Sequence, residues 1–299
     1  MVRYFNITYK CNQKCLFCAA DLFEHNNEEM TLKEFSDIVN KAQMKKGDKV
    51  ILNGGEPTCS SYFKEIIDFC KDKELRIDLF TNGRYFKDLS RCEQIFNKGS
   101  FYIRVPLFGM EMVHDNLTGN KGNFKETISG IENISKYYGN KETLEIKLLL
   151  SKETVKHNLS IIKYLKSLGI ADNCTFSLNP LIISKSVLKN YNIFCDDYSN
   201  LMQKSYSLLE YCKEYSIDII TPLVPICILP KQFKNDLIKN YCSQSTQVFF
   251  NDKYNIDTDV VNNTFGSYEV RCMDCDYCDL CPKYSRTYLE YRNGVLENE

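Results

Sequence analysis

Short apolar runs alternate with amphipathic stretches of helical length through the first 180 residues of the chain. The apolar runs predict six strands, at 3–9, 48–53, 76–81, 100–107, 143–150 and 174–180. The amphipathic stretches predict five helices, at 31–44, 61–73, 85–96, 123–137 and 154–168. Regular alternation of this kind is typical of a parallel sheet, in which each helix returns the chain to the start of the next strand. The sequence therefore predicts an α/β fold.

Two of the predicted helices begin with a capping pattern. Thr31 precedes Glu34 by three residues, and Asn123 precedes Glu126 by the same spacing. In a capping box these two side chains satisfy backbone N–H groups at the start of the helix. We therefore expect helices to begin at both places, and a further helical segment at 196–215 to complete the first domain.

The sequence changes in character after residue 216. Three prolines, Pro222, Pro225 and Pro230, mark a linker, and the segment 247–261 has the pattern of a β-hairpin. A short helical segment is expected near the C-terminus, after a quartet of cysteines. The sequence thus predicts two domains: a core at 1–216 and a small cysteine-rich domain of hairpin and helix at 222–292.

Composition narrows the classes of partner. The chain has 299 residues, of which 43% are hydrophobic, and this composition is typical of a soluble globular protein. Its net charge of −1 gives no broad electrostatic attraction for nucleic acid or an anionic membrane. The longest apolar stretch, 219–230, is too short to span a bilayer, and the N-terminus lacks the pattern of a secretory signal. We expect a cytoplasmic protein, where thiols stay reduced and the 15 cysteines favour metal ligation over disulfides.

Three cysteines follow the first predicted strand with the spacing C-x3-C-x2-C: Cys11, Cys15 and Cys18. Three thiolates are one fewer than a closed zinc site or a fully ligated four-iron cluster requires, so a metal group held here keeps an open position. In α/β barrels the loops after the strands carry the active site. A zinc knuckle is the alternative, but it needs a fourth Cys or His, and His25 is the only histidine nearby.

A second motif follows the second predicted strand: Gly54, Gly55 and Glu56, with Pro57 after them. Two glycines allow the backbone to approach a ligand closely, and a carboxylate accepts hydrogen bonds from a cationic amine. On its own this sequence is more often a turn. Because both motifs follow strands of one predicted parallel sheet, we expect them to face the same mouth of the barrel.

Together the two motifs resemble those of the radical S-adenosylmethionine (SAM) enzymes. The resemblance implies a partial (β/α)6 barrel of the TIM type, in which Cys11, Cys15 and Cys18 hold a 4Fe-4S cluster whose fourth iron chelates SAM. It implies that a reduced cluster cleaves SAM to methionine and a 5′-deoxyadenosyl radical, which abstracts a hydrogen atom from the substrate. An external one-electron donor such as flavodoxin or ferredoxin is then a required partner.

The resemblance also implies residues that hold SAM. Gly54, Gly55 and Glu56 are expected at its methionine amino group, and Phe17 near its adenine, with ordinary loop packing as the alternative for Phe17. The other candidates are Thr81 and Asn82 after the third strand, Lys147 on the fifth strand, and Asn158.

Two further residues are candidates for chemistry. Cys59 follows the Gly-Gly-Glu-Pro motif closely, and its thiol is a candidate donor of a hydrogen atom to a substrate radical. His114, predicted to lie in a loop after the fourth strand, is a candidate base, and the alternative is that it ties down its own glycine-rich loop. The cysteines without ligand spacing are expected to be buried thiols: Cys70, Cys92, Cys174, Cys195 and Cys212.

The C-terminal cysteines resemble the auxiliary-cluster domains called Twitch and SPASM, which hold a second 4Fe-4S cluster. The resemblance implies ligands from the set Cys227, Cys242, Cys272, Cys275, Cys278 and Cys281. Six thiolates are too many for one four-cysteine site, and Ser285 stands where the SPASM pattern has another cysteine. We expect one auxiliary cluster that uses Cys227, Cys242 and two of the last four. A structural zinc site is the alternative, since C-x2-C pairs suit zinc equally well.

Twitch and SPASM enzymes mostly modify ribosomal peptides or oxidise small alcohols and sugars. We therefore expect modification of a ribosomal peptide, with oxidation or epimerisation of a small alcohol or sugar as the alternative. Two classes outside this family stay open: a non-catalytic iron–sulfur electron carrier, and a zinc-binding module.

Overall fold

The computed structural model describes residues 1–18, 29–239, 272, 275–277, 281–284 and 286–293. Within these ranges the chain forms one sheet of seven strands in sequential order. All six neighbouring pairs are parallel. The strands are β1 Val2–Thr8, β2 Lys49–Gly54, β3 Arg76–Phe80, β4 Ser100–Leu107, β5 Leu144–Leu150, β6 Thr175–Pro180 and β7 Ile219–Ile220.

Helices connect the strands. In the six connections between consecutive strands, the helices are α1 Leu32–Lys41, α2 Phe63–Asp72, α3 Leu89–Phe96, α4 Glu111–Thr118, α5 Asn123–Tyr137, α6 Asn158–Ser167, α7 Lys185–Lys189, α8 Tyr191–Phe194, α9 Tyr198–Lys204 and α10 Tyr206–Glu214. After β7 come α11 Lys231–Ile238 and α12 Arg286–Arg292. A sequential parallel sheet with right-handed crossovers carries its helices on one face and curls as a partial barrel. None of the helices in the described ranges is long and apolar enough to cross a membrane.

The predicted α/β fold is confirmed, and each of the six predicted strands is present within one residue at either end. One strand was not predicted: β7 pairs with β6 through Phe176 and Ile219, beyond residue 216. Its two residues are too short to show a strand pattern. The predicted helix at 196–215 is two helices, α9 and α10, which are divided at Ser205. The Ser205 hydroxyl donates to the Leu201 carbonyl at 2.9 Å, a side-chain bond that competes with the helical ladder.

One of the two predicted helix caps is present and the other is wrong. Thr31 caps α1 as a capping box, since its backbone N–H donates to Glu34 Oε2 at 2.9 Å and its Oγ1 accepts from the Glu34 N–H at 3.3 Å. Asn123 is instead the first residue of α5, and Gly122, at φ 90°, is the N-cap. The Asp115 carboxylate binds the Gly122 N–H at 2.6 Å and so caps this helix from α4.

The two faces of the sheet differ in polarity. One face packs apolar side chains against the helices, as Ile103, Ile146 and Leu148 do. The opposite face, here called the lumen face, carries the alternate residues of each strand, which include Asp78, Phe80, Tyr102, Arg104, Glu145, Lys147, Ser177 and Asn179. Parallel sheets are usually apolar on both sides, so a charged lumen face is stable only where its charges are paired.

The chain beyond β7 contacts the core through an aromatic stack. Tyr288 of α12 lies parallel to Tyr198 of α9 with 3.8 Å between ring centroids, and Tyr284 stacks on Tyr288 at 5.3 Å. The predicted hairpin at 247–261 lies outside the described residues, as do Cys242 and Cys278. The two-domain division at 216 and 222 therefore stays a prediction.

Candidate active site

The three N-terminal cysteines lie in the loop that follows β1, as predicted. The loop turns back on itself, since the Cys18 N–H donates to the Cys15 carbonyl at 3.3 Å. Desolvation raises the pKa of Cys11 to about 11, and the charges of Glu56 and Cys18 act in the same direction. Burial also raises the pKa of Cys15, with Cys18 and Cys11 adding to the effect. The three thiols therefore lie close enough to influence one another's ionisation.

The three thiols of the cysteine loop are the type of donor that holds an iron–sulfur cluster. Within the described residues, no three side chains of Cys, His, Asp or Glu are gathered closely enough to surround one metal ion. In a 4Fe-4S cluster each thiolate binds a different iron, so its sulfurs do not surround a single ion. Thiols that disfavour ionisation among themselves become thiolates when a cationic group takes them as ligands.

The end of β2 fixes the start of the cysteine loop through backbone hydrogen bonds. The Gly55 N–H donates to the Thr8 carbonyl at 2.7 Å, and the Glu56 N–H donates to the Lys10 carbonyl at 2.8 Å. A Cβ atom on Gly54 would overlap the Thr8 carbonyl, and one on Gly55 would overlap the Lys10 carbonyl. Both glycines are thus explained by the close approach of the cysteine loop, whereas the sequence argument explained them by the approach of a ligand.

Glu56 joins the ends of β2 and β3. Its side chain is buried, and Oε1 accepts hydrogen bonds from Thr58 Oγ1 at 2.6 Å and Thr81 Oγ1 at 2.7 Å. Oε2 accepts from the Asn82 N–H at 2.7 Å. Burial raises the pKa of Glu56, and these donors act against that rise. The structure brings together Glu56, Thr81 and Asn82, which the sequence placed beside one cofactor.

Asn12 is held from the end of β3, and sequence reasoning missed it. Asn82 Nδ2 donates to Asn12 Oδ1 at 2.7 Å, and Arg84 Nη1 donates to the Asn12 carbonyl at 2.6 Å. Arg84 is itself oriented by Glu126, whose Oε2 accepts from Arg84 Nε at 2.7 Å. Glu126 thus anchors an arginine and does not complete a capping box. Its spacing from Asn123 was a misleading signal, and nothing in the sequence pairs Arg84 with Asn12.

Helix α4 holds the other side of the cysteine loop. The Lys14 N–H donates to the Thr118 carbonyl at 2.9 Å, and the Leu16 N–H donates to the Leu117 carbonyl at 3.0 Å. Gly119 follows in the left-handed conformation (φ 81°), and a Cβ there would lie 2.7 Å from the Lys14 carbonyl. The prediction of a loop over this segment was wrong: it is a helix whose C-terminal carbonyls serve the cysteine loop.

His114 lies on α4 and packs inside the protein. It is 1% exposed, and its ring stacks on Phe108 with 5.6 Å between centroids. Nδ1 accepts from the Phe108 N–H at 3.4 Å, and Nε2 is buried with no hydrogen-bond partner among the described residues. Burial lowers the pKa of His114 to about 4. These contacts favour the alternative, in which His114 ties down its own segment, over a role as a base.

Three other candidate residues occupy different surroundings. Phe17 is 8% exposed, and its ring meets that of Phe108 edge-on with 4.7 Å between centroids. This is the ordinary loop packing that was the alternative to a position near the SAM adenine. Cys59 ends a short 3-10 turn beside the cysteine loop, and desolvation followed by the Glu56 charge raises its pKa. Asn158 Nδ2 donates to the Leu149 carbonyl at 3.0 Å, and its Oδ1 is buried without a donor in the described part of the chain.

The C-terminal cysteines are brought together in part. Cys281 Sγ accepts from the Ile226 N–H at 3.3 Å and the Lys283 N–H at 3.4 Å. Burial raises the pKa of Cys281, and the charges of Cys227 and Cys272 raise it further. Three of the six predicted ligands therefore lie near one another. The cysteines without ligand spacing are buried, as predicted: Cys70, Cys92, Cys174, Cys195 and Cys212.

Comparison with known proteins identifies relatives of this chain. The family model of the radical SAM superfamily matches residues 5–165. The chain is 28% identical to the sporulation killing factor maturation protein SkfB of Bacillus subtilis over 129 residues, which are 43% of this chain and 31% of SkfB. The chain thus spans about a third of the length of that relative. It is 22% identical to the cysteine-type anaerobic sulfatase-maturating enzyme of Clostridium novyi, over 96% of this chain and 88% of the enzyme.

Among solved structures, SuiB of Streptococcus suis bound to S-adenosylmethionine has the same fold. Its TM-score is 0.65 at 13% identity, over 97% of this chain and 74% of SuiB. The complex of SuiB with its precursor peptide SuiA gives the same TM-score. Residues 5–165 are more than half of the 299 and include the cysteine loop and the Gly-Gly-Glu motif. This protein is therefore a member of the radical SAM superfamily, whose cofactors are a 4Fe-4S cluster and SAM.

Proposed function

We propose that this protein is a radical SAM maturase that modifies a precursor peptide. The observation that carries the radical chemistry is the cysteine loop, whose three thiols are held at one mouth of the barrel by the ends of β2, β3 and α4. The peptide substrate is supported by the relatives, since SkfB is a maturation protein and SuiB is solved with a precursor peptide.

In this proposal Cys11, Cys15 and Cys18 are the cluster ligands. When bound, the cluster supplies one electron for the reductive cleavage of SAM. The backbone bonds from Gly55 and Glu56 hold the start of the loop beside the end of β2, where the three cysteines would hold the cluster. A flavodoxin or ferredoxin would supply the electron. The clustered cysteines support a location in the cytoplasm, where thiols stay reduced.

The SAM site is assigned to side chains at the same mouth. Oε2 of Glu56 accepts one described hydrogen bond, which leaves acceptor capacity for the methionine ammonium of SAM. The buried Oδ1 of Asn158 is a second unused acceptor, suited to a ribose hydroxyl. Thr81 and Asn82 hold Glu56 in place, and Phe17 packs behind the loop beside Phe108. Cys59 stays a candidate donor of a hydrogen atom.

A second 4Fe-4S cluster is proposed in a C-terminal domain at 222–292. Cys227, Cys272 and Cys281 are supported as ligands by their proximity, and the two N–H groups that bind Cys281 Sγ stabilise a thiolate. The fourth ligand would come from the three remaining cysteines of that region: Cys242, Cys275 and Cys278.

The test is anaerobic reconstitution with iron and sulfide, followed by metal analysis and incubation with SAM and dithionite. The proposal expects about eight irons per chain and release of 5′-deoxyadenosine. About four irons would remove the auxiliary cluster, zinc without iron would indicate a zinc module, and iron without SAM cleavage would indicate an electron carrier. Mass spectrometry of a precursor peptide encoded beside the gene then tests the substrate. A mass change only in small alcohols or sugars would overturn it.

A further inference from the structure

The lumen face contains a closed network of charges. Arg104 binds Asp78 in two places, with Nε–Oδ1 at 2.8 Å and Nη2–Oδ2 at 2.9 Å. Arg104 Nη1 lies 3.0 Å from Glu145 Oε2, which also accepts from the Tyr102 hydroxyl at 2.8 Å. Lys49 Nζ lies 4.0 Å from Asp78 at the opposite edge of the barrel. Among the described residues, the cations within 4.0 Å of these two carboxylates are Arg104 and Lys49, and Lys147 acts on Glu145 only from a longer distance.

Lys147 lies beside this network with no described carboxylate in direct contact. Its ammonium lies 3.4 Å from Asn179 Oδ1 and 5.1 Å from the centre of the Phe80 ring. Within the described residues, no carboxylate lies within 4.0 Å of it. An ammonium has three donors, and only one long hydrogen bond is made here. Burial lowers the pKa of Lys147, against the opposing effect of Glu145, which shows that its surroundings do not fully offset its charge.

The position of Lys147 is accessible to a ligand. Lys147 lies in the middle of β5, where it pairs with Pro106 near the C-terminal end of β4 and with Ser177 of β6. The cysteine loop follows the same edge of the sheet. The Lys147 side chain is half-buried, whereas Ser177 and Asn179 on the neighbouring strand are buried. Lys147 is therefore more accessible to a ligand than the polar side chains beside it on β6.

We propose that Lys147, assisted by Asn179, binds a carboxylate of the substrate inside the barrel. The proposal rests on the proposed function, so the carboxylate is the side chain of an Asp or Glu in the precursor peptide. An anion here gives the Lys147 ammonium a partner in direct contact, and its hydrogen bonds to an ammonium in a partly dry site are charge-assisted. The site thus selects peptides that carry an acidic residue near the modified position.

The test compares two matched probes on the reconstituted full-length enzyme with SAM present. The probes are acetyl-Gly-Glu-Gly-amide and acetyl-Gly-Gln-Gly-amide, titrated by calorimetry or NMR. We expect the Glu peptide to bind about tenfold more tightly, as one charge-assisted bond predicts. Lys147→Met should reduce this ratio to about one, and Lys147→Arg should retain most of it. Lys49→Met removes a positive charge from the other edge of the barrel and should leave the ratio unchanged.

Three results would overturn the site. The first is equal binding of both probes to the parent enzyme, and the second is a loss of the Glu preference in Lys49→Met as large as that in Lys147→Met. The third is weaker SAM binding by Lys147→Met with an unchanged ratio of probe affinities. The last would assign the carboxylate to SAM. If Lys147→Met does not fold, the parent enzyme and Lys147→Arg still provide the comparison. Release of 5′-deoxyadenosine by the parent enzyme is measured in the same preparation, so failure of the proposed function is recognised separately.

Discussion

The two groups of cysteines are held in different ways. Cys11, Cys15 and Cys18 lie within eight residues, and backbone hydrogen bonds from two elements of the core, the end of β2 and helix α4, fix their loop. Cys227 and Cys281 lie 54 positions apart in the chain (281 − 227) and depend on single contacts such as the Ile226 N–H on Cys281. The first group is thus specified by the sheet itself, and the second by the docking of a distant segment.

The difference indicates where each site is sensitive. Backbone bonds tolerate most side-chain changes but fail where a Cβ atom would separate the two backbones. A site assembled from distant segments depends on side-chain packing, here the stack of Tyr198 with Tyr288 at 3.8 Å. We therefore expect the two sites to lose function independently.

The largest effect separates the two sites directly. Cys11→Ala should abolish the release of 5′-deoxyadenosine, because the SAM-binding cluster loses a ligand, while about four irons per chain remain. Cys281→Ala should also lose about four irons but keep SAM cleavage at an appreciable rate. Iron counting and a 5′-deoxyadenosine assay on both variants provide the measurement. If either substitution removed both clusters, the two sites would not be independent.

A steric test addresses the backbone contact of the first site. Gly54→Ala places a Cβ against the Thr8 carbonyl, at a residue with φ 135°. We expect a loss of at least about tenfold in cluster content or SAM cleavage, because the start of the loop must move away from β2. Gly47→Ala is the matched control, since Gly47 also has positive φ (83°) but meets nothing within 4 Å. Equal effects of the two substitutions would attribute the loss to backbone strain and not to the clash.

Much of this arrangement was predictable from sequence because it depends on local patterns. The strands follow from apolar runs, and the order of the cysteine and glycine motifs after β1 and β2 places them at one edge of a parallel sheet. The remainder depends on contacts between distant residues. Asn12 and Arg84 meet across 72 positions, and the spacing of Glu126 from Asn123 suggested a cap that Asp115 provides instead. The loop predicted around His114 is a helix because the C-terminal carbonyls of α4 bind the cysteine loop.

A buried histidine makes the support of the first site sensitive to acid, because His114 lies on α4, the helix that holds the cysteine loop. Its pKa is about 4 in the folded protein, against an ordinary value of 6.5. Between these values the unfolded chain binds a proton that the folded chain does not. The free energy of unfolding should thus fall as the pH falls through this window, by up to about 3 kcal/mol.

His114→Asn, which keeps an acceptor for the Phe108 N–H, should remove most of that pH dependence. Anaerobic urea unfolding at pH 7 and pH 5 measures the difference between the variant and the parent protein. His157→Asn, at the partly exposed start of α6, is the control and should retain the parent's pH dependence. An unchanged pH dependence in His114→Asn would show that another group is responsible.

The smallest effect concerns the side-chain brace of the cysteine loop. Arg84→Met removes the bond from Nη1 to the Asn12 carbonyl but leaves every backbone bond of the loop in place. We expect cluster retention to fall a few-fold, or about 1 kcal/mol, since Arg84 is partly exposed and its charge is screened. Lys87→Met is the matched control, because Lys87 contacts Glu126 at 2.7 Å and does not hold Asn12. The measurement is the rate of iron loss during dialysis against a chelator. If both variants lose iron at the same rate, Arg84 stabilises the cluster site through its contact with Glu126 on helix α5. If only Arg84→Met loses iron faster, Arg84 stabilises the site through its bond to Asn12, so even the site specified by the sheet depends in part on one distant side chain.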